Sequence, residues 1–146
     1  MIHQKTTQNA FAAMSRLAEL YSSGTVASSR QIAQSCNLPI PLVGKMLTEL
    51  CRAGLIVVSP EPGGGYRLAK PPVQISLMDV VGLFERETKG ECPFGPAWCG
   101  HNHPCPLHEA IVAMNQKIDD FLKKTNFEAF QQAGFKDLSQ RTGLSK

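Results

Sequence analysis

Residues 50–72 read LCRAGLIVVSPEPGGGYRLAKPP, and the order of residue types in this stretch decides the fold. Residues 55–58 (LIVV) are a largely β-branched apolar run, which reads as a strand. Residues 59–65 (SPEPGGG) consist of the residues that punctuate chains and read as a turn. Residues 66–68 (YRL) read as the returning strand, and Pro71 and Pro72 end it. Gly63, Gly64 and Gly65 leave the tip without side chains. That suits either a flexible hairpin end or a backbone that approaches a phosphate closely.

Upstream, the apolar period changes from two to between three and four. Ala10, Phe11, Met14, Leu17, Ala18 and Tyr21 recur at helical spacing over residues 8–22, and Ser22, Ser23 and Gly24 close that helix. A second, short helix opens at Ser28, a good N-cap, carries Ile32 and Ala33 inward and stops near Cys36 and Asn37. Asn tolerates the left-handed conformation that a tight turn between helices needs. A third helix follows Pro39 and Pro41, residues at home in a first helical turn. Leu42, Val43, Met46, Leu47 and Leu50 form its apolar stripe, and Ala53 and Gly54 close it. Helix, turn, helix and hairpin, in that order, make a winged helix-turn-helix over residues 1–72.

Downstream, Ser76 and Asp79 have the spacing of a capping box and Ile75 can staple onto Val80, so a helix is predicted over 77–86. Residues 87–104 read as loop. A long helix is predicted from Pro106 to Lys124, with Leu107, Ile111, Met114, Ile118, Phe121 and Leu122 as its stripe. That stripe is nearly a coiled-coil seam, and it suits either the chain's own core or a second copy of the chain. Its length favours the second copy. Residues 73–125 thus form a second unit. Residues 126–146 are a tail, with Phe127 and Phe130 in polar surroundings; its start is expected to pack on the dimer.

At 146 residues with 42% hydrophobic and 18% charged residues, the chain suits a folded core and not general disorder. No apolar run reaches the ~18 residues of a membrane helix. MIHQKTTQNA has no apolar signal region, so a cytoplasmic location is expected. Residues 1–70 hold seven basic against three acidic residues, and residues 71–146 eight against nine, so the net charge of +3 sits in the first half. The asymmetry points to a polyanionic partner for that half. No nucleophile triad, phosphate-cradling loop or carboxylate pair is legible, which speaks against an enzyme or a small-molecule substrate.

Three of the five cysteines crowd together in ECPFGPAWCGHNHPCPLHE, with the spacing Cys92-x6-Cys99-x5-Cys105-x2-His108. Clustered cysteines without a secretory signal point to metal or redox chemistry. Thiolate near a helix N-terminus is favoured, and Cys105 sits just before the predicted helix, with His108 three residues on. Three thiols and an imidazole suit zinc and an iron–sulfur cluster alike. A thiol switch without metal is a third reading. Cys36 and Cys51 read as packing residues of the first half.

Three segments, LCRAGLI (50–56), PGGGYRLAKPP (62–72) and QISLMDVVG (74–82), together resemble the Rrf-type family of bacterial winged-helix transcription regulators. The resemblance spans roughly residues 8–125. It implies a mainly α fold with a small β-hairpin wing, a homodimer formed through the 106–124 helix, and a double-stranded, pseudo-palindromic DNA operator. It further implies that Cys92, Cys99 and Cys105 ligate an iron–sulfur cluster, as in the cluster-binding branch (IscR-, NsrR- and RirA-like members). The Cys-x2-His ending matches IscR-like members, so His108 is the implied fourth ligand, favouring [2Fe–2S] with [4Fe–4S] open. The first gap, x6, is one residue longer than is usual in IscR-like members. Gln8 stands where NsrR-like members have an acidic ligand, which argues against that arrangement. On the DNA side the resemblance implies contacts from Ser28, Ser29 and Arg30, from Pro41, Leu42 and Lys45 of the third helix, and from Gly64, Gly65, Tyr66 and Arg67 of the wing. Pro39, Pro41, Leu42 and Lys45 stand where the IscR pattern has Ser, Ser, Tyr and Gln, so a different operator is implied.

Overall fold

The computed structural model describes residues 5–60, 63–85 and 106–133. Six helices and one hairpin are seen there. They are α1 (Lys5–Tyr21), α2 (Ser29–Cys36), α3 (Ile40–Arg52), β1 (Ile56–Val58), β2 (Tyr66–Leu68), a short 3-10 turn (Pro72–Gln74), α4 (Leu77–Phe84), α5 (His108–Lys124) and α6 (Glu128–Ala133). The mainly α fold with a small wing is therefore as expected.

The spine is α1. Its inner face (Ala10, Ala13, Met14, Leu17, Ala18) is fully buried, and α2, α4, α6 and β2 all pack on it. From α3, Val43, Met46, Leu47 and Leu50 close the core from the other side. Each such aliphatic side chain taken out of water contributes roughly 1.5–3 kcal/mol. The helix α1 begins three residues earlier than the apolar pattern predicts. Its first turns bury Thr7 and Asn9, polar residues that a hydrophobic period does not register.

Local signals set the element ends. Ser28 accepts from the Gln31 amide while the Gln31 side chain accepts from the Ser28 amide, a reciprocal cap on α2. Asn37 takes the left-handed conformation at φ 56°, and the Leu38 amide closes onto the Ala33 carbonyl at 2.9 Å. Gly54, at φ 78°, turns the chain out of α3 into the hairpin. Strands β1 and β2 pair antiparallel with Val57 opposite Arg67. Ser76 and Asp79 form the second capping box, and Ile75 and Val80 are both fully buried.

The segment after α4 departs from expectation in two places. Helix α5 opens at His108 and not at Pro106, and Leu107, at the N-cap, makes no side-chain cap hydrogen bond. The tail's opening residues pack on the protomer's own core. Phe127 is fully buried, with its ring 6.4 Å from Phe11 and 5.9 Å from Phe130. Its amide donates to the carbonyls of Pro72 and Ile75. The Leu77 amide donates to Thr125 at 2.8 Å, which ties the end of α5 to the start of α4.

Candidate nucleic-acid interface

The hairpin is joined to the helix pair through backbone. The Ala27 amide donates to the Tyr66 carbonyl at 3.1 Å, and the Tyr66 amide donates back to Ala27 at 2.7 Å. Residue 27 is thus a one-residue third strand beside β2, and the next residue is the cap of α2. This joint needs Gly65. A Cβ there would lie 2.5 Å from the Ala27 carbonyl carbon and oxygen and 2.8 Å from the Ser28 nitrogen, distances that packed atoms do not reach. Gly63, at φ 75°, supplies the turn. The wing glycines therefore have work inside the protein. The close approach expected of Gly65 is made to the chain's own backbone, and sequence reading missed it because Ala27 lies far away along the chain.

Around this joint the predicted contact residues take definite places. Arg30, Pro41, Leu42, Lys45 and Arg67 are exposed; Ser28, Ser29, Gly64 and Tyr66 are half-buried; Gly65 is buried. Two nearby arginines are engaged: Arg16 pairs with Glu19 at 2.7 Å and Arg52 with Glu49 at 3.2 Å. Among the described residues Arg30, Lys45 and Arg67 have no acidic partner. Uncompensated cations on the second helix, the third helix and the wing attract a polyanion. The Thr48 hydroxyl is spent on the Gly44 carbonyl at 2.9 Å.

Cys92, Cys99 and Cys105 lie outside the described residues. His108, the first residue of α5, is exposed and without a hydrogen-bonding partner among the described residues. No group of three or more metal-binding side chains comes together among the described residues. Cys36 is buried in the core, and that burial pushes its thiol above the ordinary value against the smaller opposing pull of Arg16. Burial raises the Cys51 thiol as well. Both thus sit as packing residues, with burial disfavouring the thiolate.

Helix α5 has two apolar faces. Leu122 is buried against the protomer with α4 alongside, and half-buried Ile118 lies at the edge of the outer face. Ala110, Ala113, Met114, Lys117, Ile118 and Phe121 line an open groove, and Phe121 is 59% exposed. No helix among the described residues is long and apolar enough to cross a membrane.

Comparison with known proteins agrees with this geometry. Residues 3–133 match the Rrf2 family model, described as an iron-dependent transcriptional regulator. A putative HTH-type transcriptional regulator of Aquifex aeolicus is 30% identical over 131 residues, 88% of this chain and 90% of that one. Among solved structures, CymR, the global cysteine regulator of B. subtilis, superposes with a TM-score of 0.78 at 20% identity, over 92% of this chain and 99% of that one. T. potens IscR gives 0.72 at 19%, over 97% and 96%. A winged helix-turn-helix with a family match over nearly its whole length places this chain in the Rrf2 family of transcriptional regulators.

Proposed function

We propose that this DNA-binding regulator is a cytoplasmic homodimer that senses iron, redox state or nitric oxide through an iron–sulfur cluster held by Cys92, Cys99, Cys105 and His108. The observation that carries it is His108, at the first turn of α5 just after three closely spaced cysteines, exposed and with an imidazole that has no partner among the described residues. The donor set fits the group: three thiolates are ordinary cluster ligands, and an imidazole completes the set while raising the potential. When bound, the cluster supplies a state that changes with iron supply or oxidation. The chain's own residues supply the rest: His108 ties the ligand segment to α5, and α5 leads through Thr125 and Leu77 to α4.

In this reading residues 1–72 are the DNA-binding head and residues 73–125 the sensing and dimerisation unit. Residues 126–146 are a tail whose α6 rests on α1. A second copy covers the groove of Ala110, Met114 and Phe121. The dimer presents α3 and the wing twice, to half-sites about one turn apart.

Purification without air, followed by a visible spectrum and assays of iron, acid-labile sulfide and zinc, tests the cluster. Brown protein with iron and sulfide is the expected result. Colourless protein that stays so after reconstitution, with one zinc per chain, replaces the cluster with a structural metal. No metal, together with a reversible thiol oxidation that alters DNA binding, replaces it with a thiol switch. Arg67→Ala should weaken binding to all duplexes alike and flatten the salt dependence, as loss of a phosphate contact does. An altered sequence preference would move Arg67 to base reading.

A further inference from the structure

The N-cap and first turn of the third helix are four exposed residues that carry no side-chain hydrogen-bonding atom: Pro39, Ile40, Pro41 and Leu42. Ile40 is 44% exposed and Leu42 37%, although buried positions follow immediately at Val43, Met46 and Leu47. The polar groups further along do not make up for them. Gly44 has no side chain, Thr48 is bonded to its own helix, and Arg52 is paired with Glu49. Lys45 is the one cation on this stretch without a partner among the described residues. A helix of this kind reads base edges with its N-terminal residues. Here the side chains of those residues can offer only apolar contact.

Lys45 stands three residues after Leu42 and four after Pro41, on the same face of the helix and without an acidic partner among the described residues, so the occupant of the patch carries negative charge and apolar groups together. In the major groove of unmodified DNA, the apolar group on a base edge is the C5-methyl of thymine. We infer that Ile40, Pro41 and Leu42 read thymine methyl groups, with Lys45 as the adjacent polar reader for guanine. The inference rests on the DNA-binding reading above and adds the chemistry of its specificity. It makes the operator half-sites rich in thymine where the start of α3 docks.

The test removes the methyl and nothing else. Selection from random duplexes with the full chain, purified without air, gives the preferred site. Each thymine in turn is then replaced by deoxyuridine, which keeps every hydrogen-bonding atom of the base edge. One or two thymines per half-site should show a loss of affinity of about threefold to tenfold, the scale of one methyl group leaving a buried contact. In Leu42→Ala or Ile40→Ala the thymine–deoxyuridine difference at one of those positions should shrink to nothing, while the salt dependence stays as in the parent. A deoxyuridine scan that is flat at every position overturns the inference, and it needs no variant to do so. A thymine penalty that survives unchanged in both variants also overturns the assignment to these residues. A wild-type chain that binds no duplex at any salt fails the DNA-contact reading itself, and the inference falls with it.

Discussion

Gly65 shows how one missing Cβ can set the geometry of a binding head. Its contact with the Ala27–Ser28 backbone leaves no room for a methyl group, so Gly65→Ala must part the wing from the cap of α2. The expected outcome is a chain that still unfolds cooperatively but binds DNA about tenfold more weakly, with the Arg67 contribution lost. Fluorescence anisotropy on Gly65→Ala, Arg67→Ala and the double variant measures it, and additive effects would count against the joint. Gly82→Ala, at an exposed helical position with nothing within 4 Å, is the control. A second residue acts through its proton. The Cys36 thiol is raised in the fold by burial, so the unfolded chain releases its proton first as pH climbs. Its contribution is whole below the ordinary thiol value of 9.0 and is lost as pH rises beyond it. The stability gap between the parent and Cys36→Ala in urea melts should therefore narrow above pH 9.0, and a constant gap would refute it.

At the scale of elements, caps do much of the specifying. Ser28→Ala removes half of a reciprocal cap on an eight-residue helix and should cost about 1 kcal/mol, read by thermal unfolding. The same variant should weaken DNA binding, since the capped turn carries Ser29 and Arg30. Such signals are local, which is why they can be read directly from sequence. Ser28, Asn37, Pro41, Gly54 and Ser76 each mark an element end that the structure shows. What escaped was non-local or polar. The first turns of α1 bury Thr7 and Asn9, which follow no apolar period. Phe127 earns its burial from Phe11, Pro72 and Ile75, none of them near it in the chain. For the candidate site, the exposed cations were legible residue by residue. The joint that orients them was not, because Ala27 and Tyr66 meet only when the chain folds.

For the whole molecule, the open groove on α5 carries the assembly prediction. Phe121→Asp places a charge in the middle of the proposed contact between copies and should shift the species in sedimentation velocity from dimer to monomer. Because Phe121 is 59% exposed in the protomer, the monomer itself should keep its melting temperature. Operator affinity should then fall far more than that of one head on one half-site, since two linked contacts become one. A variant that stays dimeric would move the interface off this face.

Helix α5 is fastened at one end. Thr125, Asn126 and Leu122 bind its close to α4, while residues 106–110 at its opening stand exposed. It behaves as a beam clamped at its far end, and beams convert angle into distance. Seventeen residues span about 25 Å, so a tilt of about 5° at the clamp carries the His108 end through about 2 Å. Read in reverse, a 2 Å displacement at the His108 end turns the clamp by the same few degrees. The clamp is α4, which packs on the spine of the DNA-binding head. In a symmetric pair both beams turn together, and the distance between the two heads changes by the sum. DNA has a fixed pitch, so an offset of a few ångströms is enough to put two heads in or out of step with it.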